Sequence, residues 1–227
     1  PAKYVPGRCK VLDRKRRLVE LASVSPPAEK FLLNNPKEGL LVTDQEASEV
    51  IEQQQILEPY WDLVLVWDKV AYVNFLKRLR PAGLIRWKQR VKAHIGCSFV
   101  AKKDGFLRLV LDCRRANAFF TLPPRTRLPN GAKFAEVRVG PDDKIYVAGG
   151  DVVDCFYAFG LPDVFLDYFA LKSIKAGEMN ITSVEGEGVD SGDEIYPCFA
   201  GLPMGFSWAL HFAESANTEV ADRAEHS

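Results

Sequence analysis

Residues 95–102 and 106–112 form two strand-like runs on either side of Asp104-Gly105. An Asp-Gly pair between such runs is among the strongest short-range signals for a β-hairpin, because the glycine supplies the positive φ that a tight turn needs. The hairpin sits in a segment of unusual charge. Residues 77–127 hold fourteen Lys and Arg against two Asp and Glu, while the whole chain balances 30 against 30. A neutral total thus conceals a local positive field, and the rest of the chain is correspondingly acidic. With Trp87, Phe99 and Phe106 interleaved, the basic stripe suits a polyanion such as a nucleic acid backbone or a triphosphate. A solvated charged face on a hairpin would read the same way. Lys102, Lys103 and Arg108 lie across the turn, so paired strands would let them reach one ligand together. An arginine fork and mobile lysines both suit phosphate oxygens.

Around the hairpin the sequence alternates helical and extended patterns. Thr43-Asp44-Gln45-Glu46 has the form of a capping box and predicts a helix over 44–57, ended by Pro59. Leu63, Trp67, Val70, Tyr72, Phe75, Leu76 and Leu79 give an apolar face at near-helical spacing. They predict one helix over 61–80, stopped by Pro81-Ala82-Gly83. A loop containing Pro123, Pro124 and Pro129 is followed by a β run over 144–148. That run leads into Gly149-Gly150-Asp151. Residues 178–194 carry six acidic residues and no basic one, so 173–194 is expected to be an inserted, mobile loop. A short strand over 196–200, a tight turn over 201–205 and a helix over 206–223 complete the pattern. In that helix Trp208, Phe212, Ala216 and Val220 repeat on one side. The basic cluster at 14–17 lies in a stretch without a motif.

Five cysteines (Cys9, Cys97, Cys113, Cys155 and Cys198), odd in number and without a C-x-x-C pair, fit a reduced intracellular protein, nuclear or cytoplasmic, better than a disulfide framework or zinc site. No apolar run reaches the ~18 residues that span a bilayer, and no membrane partner is expected.

Two carboxylates draw attention. Asp151-Val152-Val153-Asp154-Cys155-Phe156-Tyr157 follows an apolar strand, and a rigid strand end suits a metal ligand. Mg²⁺ favours hard oxygen donors and takes one or two protein carboxylates plus substrate phosphates. On its own, a D-x-x-D is more often a turn and cap pair, and Phe156 and Tyr157 are more often core aromatics. Asp112, followed by Cys113-Arg114-Arg115-Ala116-Asn117, reads first as a structural partner of Arg114 or Arg115.

Three segments in order resemble the reverse transcriptase family. Val100-Ala101-Lys102-Lys103-Asp104-Gly105-Phe106-Leu107-Arg108, running on through Asp112 to Asn117, is similar to the fingers hairpin of that family. Asp151-x-x-Asp154-x-Phe156-Tyr157 resembles its first catalytic motif. Leu202-Pro203-Met204-Gly205-Phe206-Ser207 resembles the Leu-Pro-x-Gly turn that opens a helix. The resemblance covers about residues 72–224, and residues 1–60 match nothing.

The resemblance implies an α+β right-hand polymerase fold. Residues 1–60 would be an N-terminal extension within a helical N-terminal region. Residues 61–140 would be a helix plus fingers hairpin, and 141–227 a partial palm. It implies RNA-directed DNA synthesis from dNTPs on an RNA template and DNA primer, with an RNA–DNA hybrid as partner, as in a retrotransposon. It further implies that Lys102 and Arg108 grip the triphosphate and that Asp151 and the Val152 carbonyl hold two Mg²⁺ or Mn²⁺ ions. Asp154 would sit near the triphosphate and Phe156 beneath the sugar. Met204 and Gly205 would face the nascent base pair, and Lys103, Arg114, Arg115, Leu202 and Pro203 the nucleic acid. Many relatives carry Gln where Met204 stands, so a polar contact there is lost. Relatives also need a later hairpin with one or two more aspartates. Only four residues follow Arg223, so the chain is expected to be a fragment that does not polymerise alone. A catalytically inactive or repurposed nucleic-acid-binding module is the alternative.

Overall fold

The computed structural model describes residues 1–10, 17–126, 128, 135–138, 140, 144 and 152–225. Residues 145–148 of the expected strand, and Asp151, lie outside the described residues.

Short helices open the fold: α1 (Leu21–Val24), α2 (Pro27–Asn34) and α3 (Asp44–Gln53). The capping box forms as expected. Thr43 N donates to Glu46 Oε2 at 2.8 Å and Glu46 N to Thr43 Oγ1 at 3.2 Å. The helix ends at Gln53, earlier than the pattern suggested, as Gln55 takes a positive φ of 50°.

The single helix expected over 61–80 is two helices, α4 (Leu63–Trp67) and α5 (Lys69–Leu79). Each begins at an aspartate. Asp62 is buried and accepts from Val64 N, Leu65 N and Tyr4 N, while Asp68 accepts from Ala71 N at 2.9 Å. A short acceptor that satisfies orphan helix-start amides favours starting a new helix over continuing the old one. The break turns part of the expected apolar face outward. Leu63, Trp67 and Val70 are 57%, 82% and 69% exposed, and only Tyr72, Phe75, Leu76 and Leu79 are buried.

The predicted hairpin pairs β3 (Gly96–Ala101) with β4 (Leu107–Asp112) antiparallel, from Gly96 opposite Asp112 to Ala101 opposite Leu107. Gly105 N donates to Lys102 O at 3.0 Å and Lys102 N to Phe106 O at 2.8 Å, with Gly105 at φ +79°. A three-residue loop ending in a left-handed glycine matches the twist of the two strands. Cys97, Phe99, Leu107, Leu109 and Leu111 point inward, while Val100 and Arg108 point out.

A second sheet has the order β2 (Ile85–Lys88), β9 (Glu194–Phe199), β6 (Ile174–Lys175), all antiparallel. A two-residue strand, β1 (Val19–Glu20), runs parallel to β5 (Phe159–Gly160). Residues 173–194 are organised rather than an open loop. They hold β6, a 3₁₀ turn at Ala176–Met179 and a small hairpin of β7 (Ser183–Val184) and β8 (Glu187–Gly188). Ile174, Ala176, Met179, Ile181 and Val184 are buried, so apolar residues spaced among the acids anchor the segment. Lys88 on β2 ties it down, lying 2.7 Å from Glu185 and 3.2 Å from Asp167.

The last helix, Ala209–Glu225, buries Phe212 and Ala216 and leaves Val220 exposed. Helices and largely antiparallel sheets share one core. It takes in Tyr4 from the N-terminal segment, Phe75, Phe99, Tyr157, Phe199 and Phe212, so all three expected segments contribute to it. The arrangement is α+β. Among the described residues no helix is long and apolar enough to cross a membrane.

Candidate functional site

The turn of the β3–β4 hairpin and the strand ends beside it line an open groove, through Val100, Ala101, Lys102, Lys103, Asp104 and Arg108. Val100 and Arg108 are direct cross-strand partners on the outer face, so the strand alternation that buries Phe99 and Leu109 presents Arg108 to solvent beside Lys102. Among the described residues, none of Lys102, Lys103 and Arg108 forms an ion pair with an acidic side chain.

Elsewhere the basic stripe is largely spent on internal partners. Arg86 pairs with Asp163, Lys88 with Asp167 and Glu185, Lys92 with Asp44, Arg114 with Asp112 and Arg115 with Glu58. Charge segregated along the sequence is therefore partly cancelled in space. Of the stripe cations without an ion pair among the described residues, Lys102, Lys103 and Arg108 lie together at the hairpin tip, while Lys77, Arg80, Arg90 and Arg125 lie elsewhere on the surface. Arg114 and Arg115, expected on the nucleic acid, are engaged within the fold. Arg114 grips Asp112 with both arms of its fork, Nε to Oδ1 at 2.9 Å and Nη2 to Oδ2 at 2.7 Å. Asp112 also accepts from Tyr60 N at 2.9 Å. The Arg114 fork, with the Tyr60 amide and the Arg114 amide that also donates to Oδ1 at 3.3 Å, holds the Asp112 carboxyl below the ordinary carboxylate range. Its role is structural, as the arginines beside it in sequence suggested.

The second motif is described from Val152 onward. Asp154 is half-buried and adopts the left-handed conformation (φ 52°, ψ 43°), opening a 3₁₀ turn over Cys155–Ala158. Non-glycine residues in that region are uncommon, and asparagine and aspartate tolerate it best. The Val152 carbonyl, proposed by resemblance as a metal donor, accepts from Cys155 N at 3.2 Å and retains its second lone pair. Phe156 is half-buried at the edge of the core. Tyr157 is buried, with its ring edge-on to Phe199 at 5.5 Å and its hydroxyl donating to Leu109 O at 2.9 Å. From Asp154 on, the segment is thus a 3₁₀ turn rather than extended chain. Successive side chains of a 3₁₀ turn diverge by about 120°, and Phe156 and Tyr157 still point to different surroundings.

The third motif packs against the same strand. A Cβ at Gly205 would lie 2.2 Å from Leu111 O, so only glycine fits there. Asn117 brackets the turn, donating from Nδ2 to Gly205 O at 3.0 Å and accepting at Oδ1 from Ser207 N at 2.9 Å. Trp208 Nε1 donates to Thr121 O at 2.7 Å. Leu202 and Pro203, expected to touch nucleic acid, are buried. Leu202 is wholly enclosed in the core, and both side chains shape the turn from beneath. Met204 is exposed and is the side chain the turn offers outward.

All three motifs therefore meet on β4. Arg108 faces the groove, Leu109 O holds Tyr157, Leu111 O abuts Gly205 and Asp112 holds Arg114. Asn117, quoted in the motif without a role, is the residue that couples its end to the third motif. A half-buried amide bonding two turns leaves no periodic signal in sequence. Residues 1–10, in which no motif was legible, also reach the site. Arg8 donates from Nε to Gly105 O at 2.8 Å, and Lys10 Nζ lies 3.7 Å from the centre of the Phe106 ring.

No family model matches the chain, and no curated protein does. Among solved structures it is similar to the foamy viral protease–reverse transcriptase dRH in complex with double-stranded DNA. The two share 15% identity at a TM-score of 0.39, over 91% of this chain and 38% of that one. A selenomethionine-labelled CSH mutant of prototype foamy virus protease–reverse transcriptase shares 15% identity at a TM-score of 0.39, over 88% and 27%. The chain spans less than two-fifths of either. A likeness of that strength carries no argument about what this chain does.

Proposed function

We propose that this chain forms the fingers and first part of the palm of an RNA-directed DNA polymerase of a retroelement, acting on an RNA template, a DNA primer and dNTPs. The observation that carries this reading is the convergence of three separate motifs on β4, beside three cations that no acidic side chain among the described residues pairs. In this reading Lys102, Lys103 and Arg108 neutralise the triphosphate of the incoming nucleotide. Asp154 lies near that triphosphate, and Phe156 supports the sugar from below. Met204 and Gly205 present a flat surface to the nascent base pair, and Asn117 keeps that surface in register with the hairpin.

Asp151 and the second lone pair of the Val152 carbonyl are hard oxygen donors of the kind Mg²⁺ and Mn²⁺ prefer. Among the described residues there is no cluster of three or more His, Cys, Asp or Glu that could hold a metal. When bound, a pair of such ions would activate the primer hydroxyl and stabilise the leaving pyrophosphate.

Binding of an RNA–DNA hybrid across a salt series tests the polyanion assignment. Each phosphate contact contributes about one unit to the slope of log affinity against log salt. The Lys102→Ala, Arg108→Ala double variant should bind more weakly and lose about two units of slope. Unchanged affinity and slope would remove the hairpin from the interface.

A further inference from the structure

The first ten residues are built into the hairpin rather than hung beside it. Ala2 N donates to Phe99 O at 2.8 Å, Tyr4 packs between Phe75 and Phe99, and Tyr4 N donates to the buried Asp62 at 3.0 Å. The segment then crosses to the other strand, where Leu107 N donates to Arg8 O at 2.6 Å. From there the Arg8 guanidinium reaches the turn. Both Nε and Nη2 donate to the carbonyl of Gly105. Lys10 Nζ lies over the Phe106 ring and 3.8 Å from Asp104 Oδ2.

The turn is held from within by three bonds: Gly105 N to Lys102 O, Lys102 N to Phe106 O, and Phe106 N to Asp104 Oδ1 at 3.1 Å. The last of these acts on the N–H edge of the peptide plane that carries the Gly105 carbonyl, and Arg8 holds the carbonyl edge of the same plane. A glycine has the widest choice of backbone conformations, so Gly105 adds little restraint of its own and leaves the carbonyl edge some freedom. That plane belongs to the turn whose flanks carry Lys102 and Arg108. A planar guanidinium with two donors on one carbonyl removes that freedom in a way a single ammonium donor does not.

We infer that Arg8 is a positioning residue for the hairpin's anion site, clamping the Gly105 carbonyl so that Lys102 and Arg108 converge on one triphosphate. The inference rests on the reading of the groove as a triphosphate site. Arg8 itself touches the turn, not the ligand, so its loss acts through geometry rather than charge.

The test is calorimetric titration of the chain with inorganic triphosphate at low salt, alongside amide hydrogen exchange at Gly105 and Leu107. Arg8→Ala is expected to weaken binding roughly fivefold to tenfold and to speed exchange at both amides, because preorganisation is lost. Arg8→Lys keeps the charge and loses the fork, and it should weaken binding to a similar degree. Full affinity in Arg8→Lys with loss in Arg8→Ala would make Arg8 a plain charge contribution and overturn the positioning role. Unchanged affinity in both variants, with binding lost in the Lys102→Ala, Arg108→Ala protein, would leave the groove as the site and refute the clamp. Equal binding by the wild-type and Lys102→Ala, Arg108→Ala proteins would overturn the groove assignment and the clamp with it. The Arg8→Lys variant retains the aliphatic stem and charge, so the comparison survives should Arg8→Ala fold poorly.

Discussion

Asp151→Asn is expected to abolish nucleotide incorporation, by about a thousandfold or more, in a protein that also carries the later aspartates implied by the family resemblance. The substitution keeps the shape of the side chain and removes the negative charge that a divalent ion requires. Stability should change little. Asp112→Asn is the opposite case. Its carboxylate receives two arms of Arg114 and the amide of Tyr60, so losing its charge should cost about 2 kcal/mol in a urea titration while the chemistry remains. The pH dependence has a definite sign. Asp112 has a lowered folded-state pKa, so its contribution is present above the ordinary aspartate value and disappears as pH falls through the folded value. Stability of the wild type should therefore fall more steeply below about pH 4 than that of Asp112→Asn. Near-normal incorporation by Asp151→Asn would withdraw that residue from the metal site. If the protein binds the hybrid yet the wild type incorporates nothing, the repurposed binding module becomes the better reading.

The second large effect concerns sugar choice. In the proposed pose the Phe156 ring lies against C2′ of the incoming nucleotide, leaving neither space nor a hydrogen-bond partner for a ribose hydroxyl. An unsatisfied hydroxyl alone costs about 1–3 kcal/mol. Phe156→Val should raise relative rNTP incorporation more than tenfold, equivalent to about 1.4 kcal/mol. Tyr157 is the control. It is buried against Phe199 and bonded to Leu109 O, so Tyr157→Phe should cost about 1 kcal/mol of stability and leave sugar preference alone. The ratio of kcat/KM for dNTP and rNTP decides. An unchanged ratio in Phe156→Val with a shifted ratio in Tyr157→Phe would move the register of this motif by one residue.

What the sequence made legible was local. The Asp104-Gly105 hairpin and the Thr43–Glu46 capping box are written in neighbouring residues, and both formed. Helical periodicity over 61–80 was misleading, since two aspartate caps outweighed it and left Trp67 in solvent. The acidic segment looked like an open loop because its anchors, Ile174, Met179, Ile181 and Val184, are scattered among polar residues. Long-range pairings left the least trace. Nothing near Arg8 announces Gly105, nothing near Lys88 announces Glu185, and a Leu-Pro-Met-Gly turn does not reveal that its leucine and proline face inward. The same long-range ion pairs explain why a stripe that is strongly basic in sequence is partly cancelled in space.

The central claim is that Lys102, Arg108 and Asp151 act on one metal-bound nucleotide. The most direct measurement is electron paramagnetic resonance of Mn²⁺ with dTTP, titrated with the chain as it stands. Wild type should capture the Mn²⁺–dTTP complex, seen as loss of its free signal. Both Asp151→Asn and the Lys102→Ala, Arg108→Ala protein should leave that signal largely intact. A wild-type chain that leaves the Mn²⁺–dTTP signal unaltered, or variants that capture it as well as wild type, would contradict the claim.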